Sequence, residues 1–143
     1  YVSCRENGIS KTLSEFAEAS FAKKNDLGAY YRTIVQELDV KTKVMSPTSY
    51  LSRIATNAVP PLSVTVQKQA MVLLESYDDK AGKDPVGLAA AALYYVAKLK
   101  NLNHSQRVIC TAAGITELTI RNRVDDFRGF DQARCANGGS SSW

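Results

Sequence analysis

An apolar stretch from Leu88 to Ala97 (LAAAALYYVA) limits what this chain can form more than any other feature of its sequence. A helix over this stretch has no polar face, so other helices must surround it on every side. Its run of alanines lets those neighbours approach closely. The stretch is too short to span a bilayer, which takes about 20 apolar residues. With 143 residues, the chain can form one domain or two very small ones.

Capping signals divide the rest of the chain into further helices. Thr12 and Glu15 form a capping box, in which each side chain bonds to the other residue's backbone N–H. Ser46-Pro47 and Asp84-Pro85 each join a capping side chain to a proline, which suits the first turn of a helix. We therefore predict an all-α fold, with helices from Thr12, from about Asn25, from Ser46 to Pro60, from Ser63 to Asp79, from Asp84, from Ser105 to Gly114 and from Thr116 to near Phe127.

The cysteines and the histidine argue against metal and catalytic chemistry. Cys4, Cys110 and Cys135 form no CxxC pair, so neither a disulfide framework nor a zinc site is expected. His104 is the single histidine of the sequence, which argues against a His-based metal site or catalytic triad. The sequence contains neither a phosphate loop nor a carboxylate pair spaced for acid–base work. We therefore expect no enzyme activity, no cofactor and no metal, and a reducing, intracellular environment.

Positive charge is concentrated in one part of the chain. The whole chain carries a net charge of +4, and residues 98–128 contribute +3 of it through six basic and three acidic side chains. A basic patch of this kind attracts phosphate groups, including those of nucleic acid. On charge alone, an ordinary solvated surface is the better explanation.

The segment 108–124 (VICTAAGITELTIRNRV) matches the pattern of a helix-turn-helix. That motif needs a small residue where its helices cross, a glycine at the turn, and apolar residues after the turn and in the second helix. The sequence supplies these in order with Cys110, Gly114, Ile115 and Ile120. Any two short packed helices can mimic the spacing, so the match is moderately specific.

The second helix of this motif has an outer face suited to reading DNA bases. At about 100° per residue, the inner face carries Ile120, Val124 and Phe127, and the outer face carries Leu118, Thr119, Arg121 and Asn122. Arg can bond to guanine, Asn to adenine, and the methyl groups of Leu or Thr can contact thymine. The alternative is an ordinary surface helix with one exposed Leu. Asp125 and Asp126 argue against a groove contact further along, because carboxylates repel phosphate.

A weak internal repeat relates the start of the chain to the helix-turn-helix region. A shift of 93 residues pairs apolar positions with each other, for example Phe16 with Ile109 and Leu27 with Ile120. The few identities make this a match of pattern rather than of residues. It indicates that the beginning of the chain is the last part of a first repeat, whose earlier helices lie outside this sequence.

The repeat defines a domain organisation. We predict the end of a first repeat at residues 1–40, a linker at 41–45, a complete second repeat at 46–128 and a flexible tail at 129–143. The predicted helix from Asn25 carries an apolar stripe of Leu27, Tyr30, Tyr31, Ile34, Val35 and Leu38. Without the earlier helices of the first repeat, we expect the part of this stripe formed by Tyr30, Tyr31, Ile34 and Leu38 to lie exposed and to promote association.

Long strings of the sequence resemble a known family, transcription initiation factor IIB, and in particular archaeal transcription factor B. The second cyclin-like repeat of that family is similar to DPVGLAAAALYYVAKLKN followed by SQRVICTAAGITELTIRNR. The end of its first repeat is similar to KTLSEFAEASFAKKNDLGAYYRTIVQELDV, and the helix opening the second is similar to SPTSYLSRIATNAV. The resemblance covers about residues 1–128.

The resemblance implies cyclin-like five-helix repeats and a part in transcription initiation. It implies that the chain binds promoter DNA together with the TATA-binding protein, and reads a purine-rich element upstream of the TATA box through its helix-turn-helix. RNA polymerase would be recruited through a zinc ribbon that lies outside this sequence. The positions that correspond to the family's motif imply that Leu118, Arg121 and Asn122 read bases. They imply contacts with the DNA backbone for Ser105, Gln106, Thr116, Thr119, Arg123, Lys11, Lys23 and Lys24.

Three residues depart from the family pattern. Phe21 stands where the first-repeat motif usually has Gly, which predicts a distorted turn. Val124 replaces a usual Tyr, and Asp125 replaces a usual basic residue. We therefore expect the phosphate contacts near the end of the last helix to be weakened.

Two other functions fit the same sequence. A cyclin-fold adaptor would bind protein partners only and respond little to salt, whereas DNA binding through several phosphates weakens steeply with salt. A relative of the polymerase III type would read no upstream element. The TIRNR string favours an archaeal source and a cytoplasmic, nucleoid-associated location, and a eukaryotic protein would be nuclear. Because the chain does not begin with Met and shows no signal segment, we expect a soluble piece of a longer protein without membrane contact.

Overall fold

The computed structural model describes residues 1–42 and 44–138, and in this part of the chain it contains helices and turns but no strand. The predicted all-α fold class is confirmed. The chain divides into two compact units, Tyr1–Met45 and Ser46–Trp143, each of which is described by itself. The first unit contains α1 (Val2–Glu6), α2 (Leu13–Ser20) and α3 (Lys24–Glu37). The second contains a 3₁₀ turn (Pro47–Tyr50), α4 (Leu51–Asn57), α5 (Val64–Ser76), α6 (Pro85–Leu99), α7 (Gln106–Ala113) and α8 (Glu117–Ala136).

Helix α6 is the centre of the second unit. Every residue from Val86 to Ala97 is buried, and Leu88 and Leu93 have no exposed surface. Helices α4, α5, α7 and α8 all contact α6. The alanines in its middle leave room for these four neighbours to pack closely around one axis. The expectation that this apolar helix is surrounded on all sides is confirmed.

The predicted helix starts are present as well. The Thr12 hydroxyl accepts a hydrogen bond from the N–H of Glu15 at 3.2 Å, and the Glu15 carboxylate accepts one from the N–H of Thr12 at 2.7 Å. The Ser46 side chain caps the 3₁₀ turn that leads into α4. The Asp84 carboxylate caps α6 by accepting a hydrogen bond from the N–H of Gly87 at 2.8 Å. Each cap satisfies N–H groups that the helix leaves without an internal partner.

Helix α8 is longer than the sequence predicted. It continues to Ala136, so the predicted end near Phe127 is wrong. Residues 129–136, which were expected to belong to a flexible tail, are helical. Residues 139–143, the last part of that predicted tail, lie outside the residues that the structure describes.

Packing against two tyrosines explains the extra length of α8. The ring of Phe130 meets the ring of Tyr77 edge-on, with centroids 5.4 Å apart. The hydroxyl of Tyr95 on α6 donates a hydrogen bond to the Asp131 carboxylate at 3.0 Å. These contacts tie the last turns of α8 to the core and outweigh the poor helix propensity of Gly129, about 1 kcal/mol relative to Ala.

The predicted offset of 93 residues also relates the backbones of the two units. With that offset, α2 corresponds to residues 106–113, which is the whole of α7, and the first residue of α3 corresponds to the first residue of α8. The turns that precede these pairs match too. The N–H of Ile9 donates to the carbonyl of Cys4 at 2.8 Å, and the N–H of Leu102 donates to that of Ala97 at 2.9 Å. The first unit therefore contains a second helix-turn-helix of the same backbone design.

The turn between α2 and α3 keeps its shape without a glycine. Phe21 adopts a φ of 55°, close to the 69° of Gly114 at the corresponding position between α7 and α8. The predicted distortion of this turn is therefore wrong. The Phe21 side chain is 98% exposed, so no packing within the first unit offsets its left-handed backbone.

Half of the apolar stripe of α3 is exposed in the first unit, whereas Leu27, Tyr31 and Val35 are half-buried. Tyr30 is 66% exposed, Ile34 40% and Leu38 69%, as expected. The expected exposure of Tyr31 is wrong, because its hydroxyl bonds to Thr42 at 3.2 Å and its ring meets the Tyr1 ring edge-on. At the position that corresponds to Ile34, the second unit has Phe127, which is fully buried. Corresponding helix positions are therefore buried in the core of the second unit, at Phe127, and exposed in the first unit, at Ile34.

Replacing Phe21 with Gly should stabilise the first unit by about 1 kcal/mol, because Gly adopts a positive φ without the steric cost that other residues bear. Urea denaturation followed by circular dichroism would measure the change. The opposite effect is expected at the corresponding turn of the second unit. There, Gly114→Ala should lower stability because Ala is strained at a φ of 69°. A loss of stability in Phe21→Gly would show that the Phe21 side chain makes a stabilising contact.

Replacing Tyr95 with Phe should change how stability depends on alkaline pH. Burial, and next the hydrogen bond to Asp131, raise the pKa of Tyr95 from 10.0 to about 12. The folded chain therefore holds this proton more tightly, so its stabilising effect is complete below pH 10 and is lost as the pH rises to 12. Urea titrations across this range should show Tyr95→Phe losing less stability than the parent. Parallel curves for the two proteins would contradict the assignment.

Candidate nucleic-acid interface

Helices α7 and α8 form the helix-turn-helix that the sequence predicted. Gly114 ends α7 in a left-handed conformation, and its N–H donates to the carbonyl of Cys110 at 2.8 Å. Cys110 and Ile120 are buried where the two helices meet, and burial raises the pKa of the Cys110 thiol. A protonated thiol suits this packing role. The inner face of α8 is buried as expected, at Ile120, Val124 and Phe127.

The three residues predicted to read bases lie on the exposed face of α8. Leu118 is 62% exposed, although it is a large apolar residue that a core would otherwise accept. Arg121 and Asn122 are exposed one turn later. Within the described part of the chain, the Arg121 guanidinium has no ion pair and no side-chain hydrogen bond. The first turns of α8 therefore present an apolar group, a guanidinium and an amide to solvent.

The hydroxyl groups of the two threonines predicted to contact the DNA backbone already take part in hydrogen bonds at the start of α8. The Thr116 hydroxyl caps α8 by accepting a hydrogen bond from the N–H of Thr119 at 3.3 Å. The two hydroxyl oxygens are 2.9 Å apart, so one donates to the other. Thr119 is half-buried and Thr116 is exposed, so Thr116 is the more accessible of the two.

The position of α8 depends on the absence of a side chain at Gly87. A Cβ atom built on Gly87 would lie 2.9 Å from Cγ2 of Thr119, closer than real Cβ contacts occur. The first turn of α8 therefore packs directly on the backbone of the first turn of α6. Because α6 is fixed by the core, this contact sets where the base-reading candidates stand.

The start of α7 holds two more predicted backbone contacts. The Ser105 side chain accepts a hydrogen bond from the N–H of Val108 at 3.3 Å, and Ser105 itself is exposed. Gln106 is half-buried in the first turn. Arg107, which the sequence analysis counted among the basic residues but did not single out, is exposed beside them. Only the structure shows that Arg107 stands at this surface.

Arg123 differs from the other predicted backbone contacts because it is already in an ion pair. Its Nη1 lies 2.8 Å from Oδ2 of Asp126, and the same carboxylate oxygen lies 3.2 Å from Nζ of Lys83. Asp125 pairs in turn with Arg128 at 3.3 Å. Both acidic residues that were expected to repel phosphate are thus compensated by neighbouring cations.

Lys83 ties this network to the end of α5. Its Nζ lies 2.6 Å from the Asp79 carboxylate, donates to the Tyr77 hydroxyl and stands 5.0 Å from the Tyr77 ring centroid. Burial by itself would lower the pKa of Lys83, but its bonds to Asp79, Tyr77 and Asp126 raise it above the ordinary value. The hydrogen bond from Lys83, together with its charge, lowers the pKa of Asp79. Lys83 is therefore charged near neutral pH and links the α5–α6 loop to α8.

The three predicted lysine contacts belong to the first unit. Lys11 lies 3.3 Å from Glu15 in an ion pair next to the capping box. Lys23 and Lys24 are exposed at the start of α3. Their arrangement corresponds to Thr116 and Glu117 at the start of α8 under the 93-residue offset.

Within residues 1–42 and 44–138, no three His, Cys, Asp or Glu side chains are grouped so as to hold a metal ion. No helix in these ranges combines the length and the apolar character needed to cross a membrane.

Comparison with known proteins identifies the family to which this helix-turn-helix domain belongs. Residues 40–128 match the family model described as "Transcription factor TFIIB repeat". The match covers more than half of the chain, which therefore belongs to the TFIIB repeat family.

Curated relatives agree with this family. The chain is 38% identical over 129 residues to "Transcription initiation factor IIB" of Sulfurisphaera tokodaii, covering 88% of this chain and 41% of the relative. The protein of the same name from Archaeoglobus fulgidus is also 38% identical, with 88% and 39% covered. "Transcription initiation factor IIB 7" of Halobacterium salinarum is 36% identical, again with 88% and 39% covered. The chain thus spans about two fifths of the length of these archaeal relatives.

Replacing Gly87 with Ala should destabilise the second unit by about 1–3 kcal/mol, because the added methyl group overpacks the contact with Thr119. The first turn of α8 must then shift or the Thr119 side chain must rotate. The matched control is Gly129→Ala, since a Cβ at Gly129 meets nothing within 4 Å and Ala favours a helix. Thermal unfolding of both variants would decide. Equal stability of Gly87→Ala and the parent would mean that α8 does not depend on this contact.

Proposed function

We propose that this chain is the promoter-binding part of a general transcription initiation factor. It binds the complex of TATA-binding protein and promoter DNA, and α8 reads an element upstream of the TATA box in the major groove. RNA polymerase is recruited through parts of the protein outside this sequence. The observation that carries the proposal is the exposed face of Leu118, Arg121 and Asn122 on a helix-turn-helix of the TFIIB repeat family.

Base reading falls to the first turns of α8. A guanidinium can donate two hydrogen bonds to guanine, an amide can bond to adenine, and an exposed leucine can contact a thymine methyl group. Leu118, Arg121 and Asn122 have these three chemistries within two turns. The exposed side chain of Leu118 contributes little to the stability of the second unit. Contact with a thymine methyl group would bury this side chain.

Affinity comes from phosphate contacts around this face. Ser105, Gln106 and Thr116 offer polar groups at helix starts, where the backbone N–H groups also favour an anion. Thr119 and Arg123 take part less directly, since Thr119 is half-buried and Arg123 is shared with Asp126. Such contacts position the protein on DNA without selecting a sequence.

The helix-turn-helix of the first unit suits backbone binding better than base reading. Under the 93-residue offset, Arg121 and Asn122 correspond to Gly28 and Ala29, whose side chains cannot hydrogen-bond to bases. Gly28 is also buried against Leu13, whose Cδ2 would lie 3.3 Å from an added Cβ. Lys23 and Lys24 are exposed at the helix start, however, and can meet phosphates. The first motif thus contributes to the affinity for DNA, and the second motif also provides sequence specificity.

The proposal is tested by a gel-shift titration on a TATA-box promoter fragment. The fragment is used with the upstream element intact or scrambled, and with or without TATA-binding protein. We expect a supershift that depends on both the TATA-binding protein and the element, and that weakens steeply as salt is raised. A folded chain that gives no shift under any condition would favour a protein-only cyclin-fold adaptor. A shift that ignores the element would favour a factor of the polymerase III type.

Replacing Arg121 with Ala should relax the preference for one base pair and cost about 1–3 kcal/mol of binding free energy on the preferred sequence. The loss should be small on fragments already mutated at that base pair, because Arg121 has nothing to read there. Competition gel shifts with a set of single-base variants would measure both effects.

Two variants serve as controls for Arg121→Ala. Arg128→Ala removes the same charge two turns further along, from an ion pair with Asp125, and should leave base preference unchanged. Lys23→Ala should weaken binding to all sequences about equally, as expected for a phosphate contact. An unchanged footprint and preference in Arg121→Ala would refute the reading role.

A further inference from the structure

A cluster of four charged side chains joins the α5–α6 loop to the middle of α8. Two of them belong to the loop, where the Asp79 carboxylate lies 2.6 Å from Nζ of Lys83. The other two, Arg123 and Asp126, belong to α8. Nζ of Lys83 lies 3.2 Å and Nη1 of Arg123 lies 2.8 Å from the same buried oxygen of Asp126, Oδ2. Asp126 thus lies between two cations, and Arg123 is the one proposed to contact DNA.

Lys83 is held in place by contacts that involve neither Arg123 nor Asp126. Its Nζ pairs with the Asp79 carboxylate and donates a hydrogen bond to the Tyr77 hydroxyl. The Tyr77 ring is buried, so the core fixes the position of this second partner. The Lys83 side chain is 15% exposed, which leaves it little freedom to follow a ligand. Lys83 therefore stays beside Asp126 whether or not Arg123 does.

Arg123 is placed so that it can exchange its partner. Its side chain is more exposed than that of Lys83, and its ion pair with Asp126 is a local one between residues three positions apart on the same helix. Thr116, Thr119 and Arg123 share one flank of α8, because positions i, i+3 and i+7 lie on the same side of a helix. All three are proposed contacts with the DNA backbone. A guanidinium can bond to two oxygens of a phosphate, so a phosphate at this flank can replace Asp126.

Lys83 lowers the free-energy cost of this exchange. Without Lys83, the departure of Arg123 would leave the half-buried Asp126 carboxylate with no cation among the described residues. Because an unpaired carboxylate is costly away from water, the ion pair on α8 would then resist the exchange. With Lys83 present, the carboxylate stays neutralised after the guanidinium moves to a phosphate.

We propose that Lys83 is a positioning residue for DNA binding, which neutralises Asp126 so that Arg123 is released to a phosphate of the DNA backbone. Lys83 itself does not touch DNA. This role rests on the proposed function, because it requires α8 to bind DNA, and it adds a residue outside the helix-turn-helix to those that set the affinity. Base preference does not depend on it, since phosphate contacts select no sequence.

The test measures how salt affects the binding of Lys83 variants to a promoter fragment saturated with TATA-binding protein. Fluorescence anisotropy gives the affinity and the slope of its logarithm against the logarithm of the salt concentration, which counts phosphate contacts. Lys83→Met should weaken binding about threefold to tenfold, whether the upstream element is intact or scrambled, and should reduce the slope by about one contact. Lys83→Arg keeps a cation beside Asp126 and should bind like the parent. Lys83→Gln has no charge, should repeat the loss, and replaces Lys83→Met if that variant does not fold.

A second background separates positioning from direct contact. In Asp126→Asn no carboxylate holds Arg123, so adding Lys83→Met should leave both the affinity and the slope unchanged. Asp125→Asn is the matched control, because it removes the same charge from the adjacent position, whose partner is Arg128, and the loss caused by Lys83→Met should persist there. Arg123→Ala should reduce the slope as much as Lys83→Met does, and the two together should reduce it no further.

The outcomes distinguish this role from the proposed function. A parent chain that does not bind the promoter complex would refute both. A parent that binds, with Lys83→Met binding equally well, would refute the positioning role alone. Equal losses in the parent and Asp126→Asn backgrounds would also refute it, since Lys83 would then contact a phosphate itself or support only the fold. Thermal unfolding of each variant verifies that it is folded at the temperature of the binding measurement.

Discussion

The burial of α6 is the constraint on which the rest of the second unit depends. A helix without a polar face gains free energy only when other helices cover it, and each fully buried leucine contributes about 1.5–3 kcal/mol. Four helices pack around it as a result, and two of them are α7 and α8. The helix-turn-helix is therefore part of the core rather than an appendage. At Gly87, where α6 has no side chain, the first turn of α8 packs on its backbone, and this contact helps to position the face proposed to read bases.

Charge pairing differs between the two halves of α8. Its second half carries Asp125 and Asp126, and both are engaged by cations within the unit. Its first half carries Arg121, which has no such partner among the described residues. These two carboxylates of α8 are thus compensated where they occur, and Arg121, which is proposed to read a base, has no such partner in the described part of the chain that would hold its guanidinium. Lys83 contributes from the α5–α6 loop by binding Asp126 and by joining the loop to α8.

The internal repeat shows how one backbone design can serve different surfaces. The two helix-turn-helix motifs agree in helix starts, in the left-handed backbone at Phe21 and Gly114, and in a hydrogen bond of the turn that precedes each motif, although few of their residues are identical. Phe21 adopts the left-handed turn that Gly114 adopts at lower steric cost. Backbone geometry is retained because the helices before and after the turn fix the path between them. The side chains on that path then decide whether the motif presents lysines, as the first unit does, or the groups proposed to read bases, as the second unit does.

Much of this protein could be predicted from local chemistry in its sequence. The helix starts followed from capping side chains and prolines, because a cap involves residues only two or three positions apart. The central helix followed from its missing polar face, and the helix-turn-helix and its exposed residues followed from helical periodicity. The family followed from strings that cover both repeats.

Only the tertiary structure decided features that depend on residues far apart in the chain. The extension of α8 to Ala136 relies on Tyr77 and Tyr95, which lie on or next to other helices. The compensation of Asp126 relies on Lys83, 43 positions earlier in the chain. Nε2 of His104 lies 2.8 Å from the carbonyl oxygen of Pro60, 44 positions earlier in the chain. Periodicity and capping describe neighbours along the chain, whereas these contacts form only when packing around α6 brings distant side chains together.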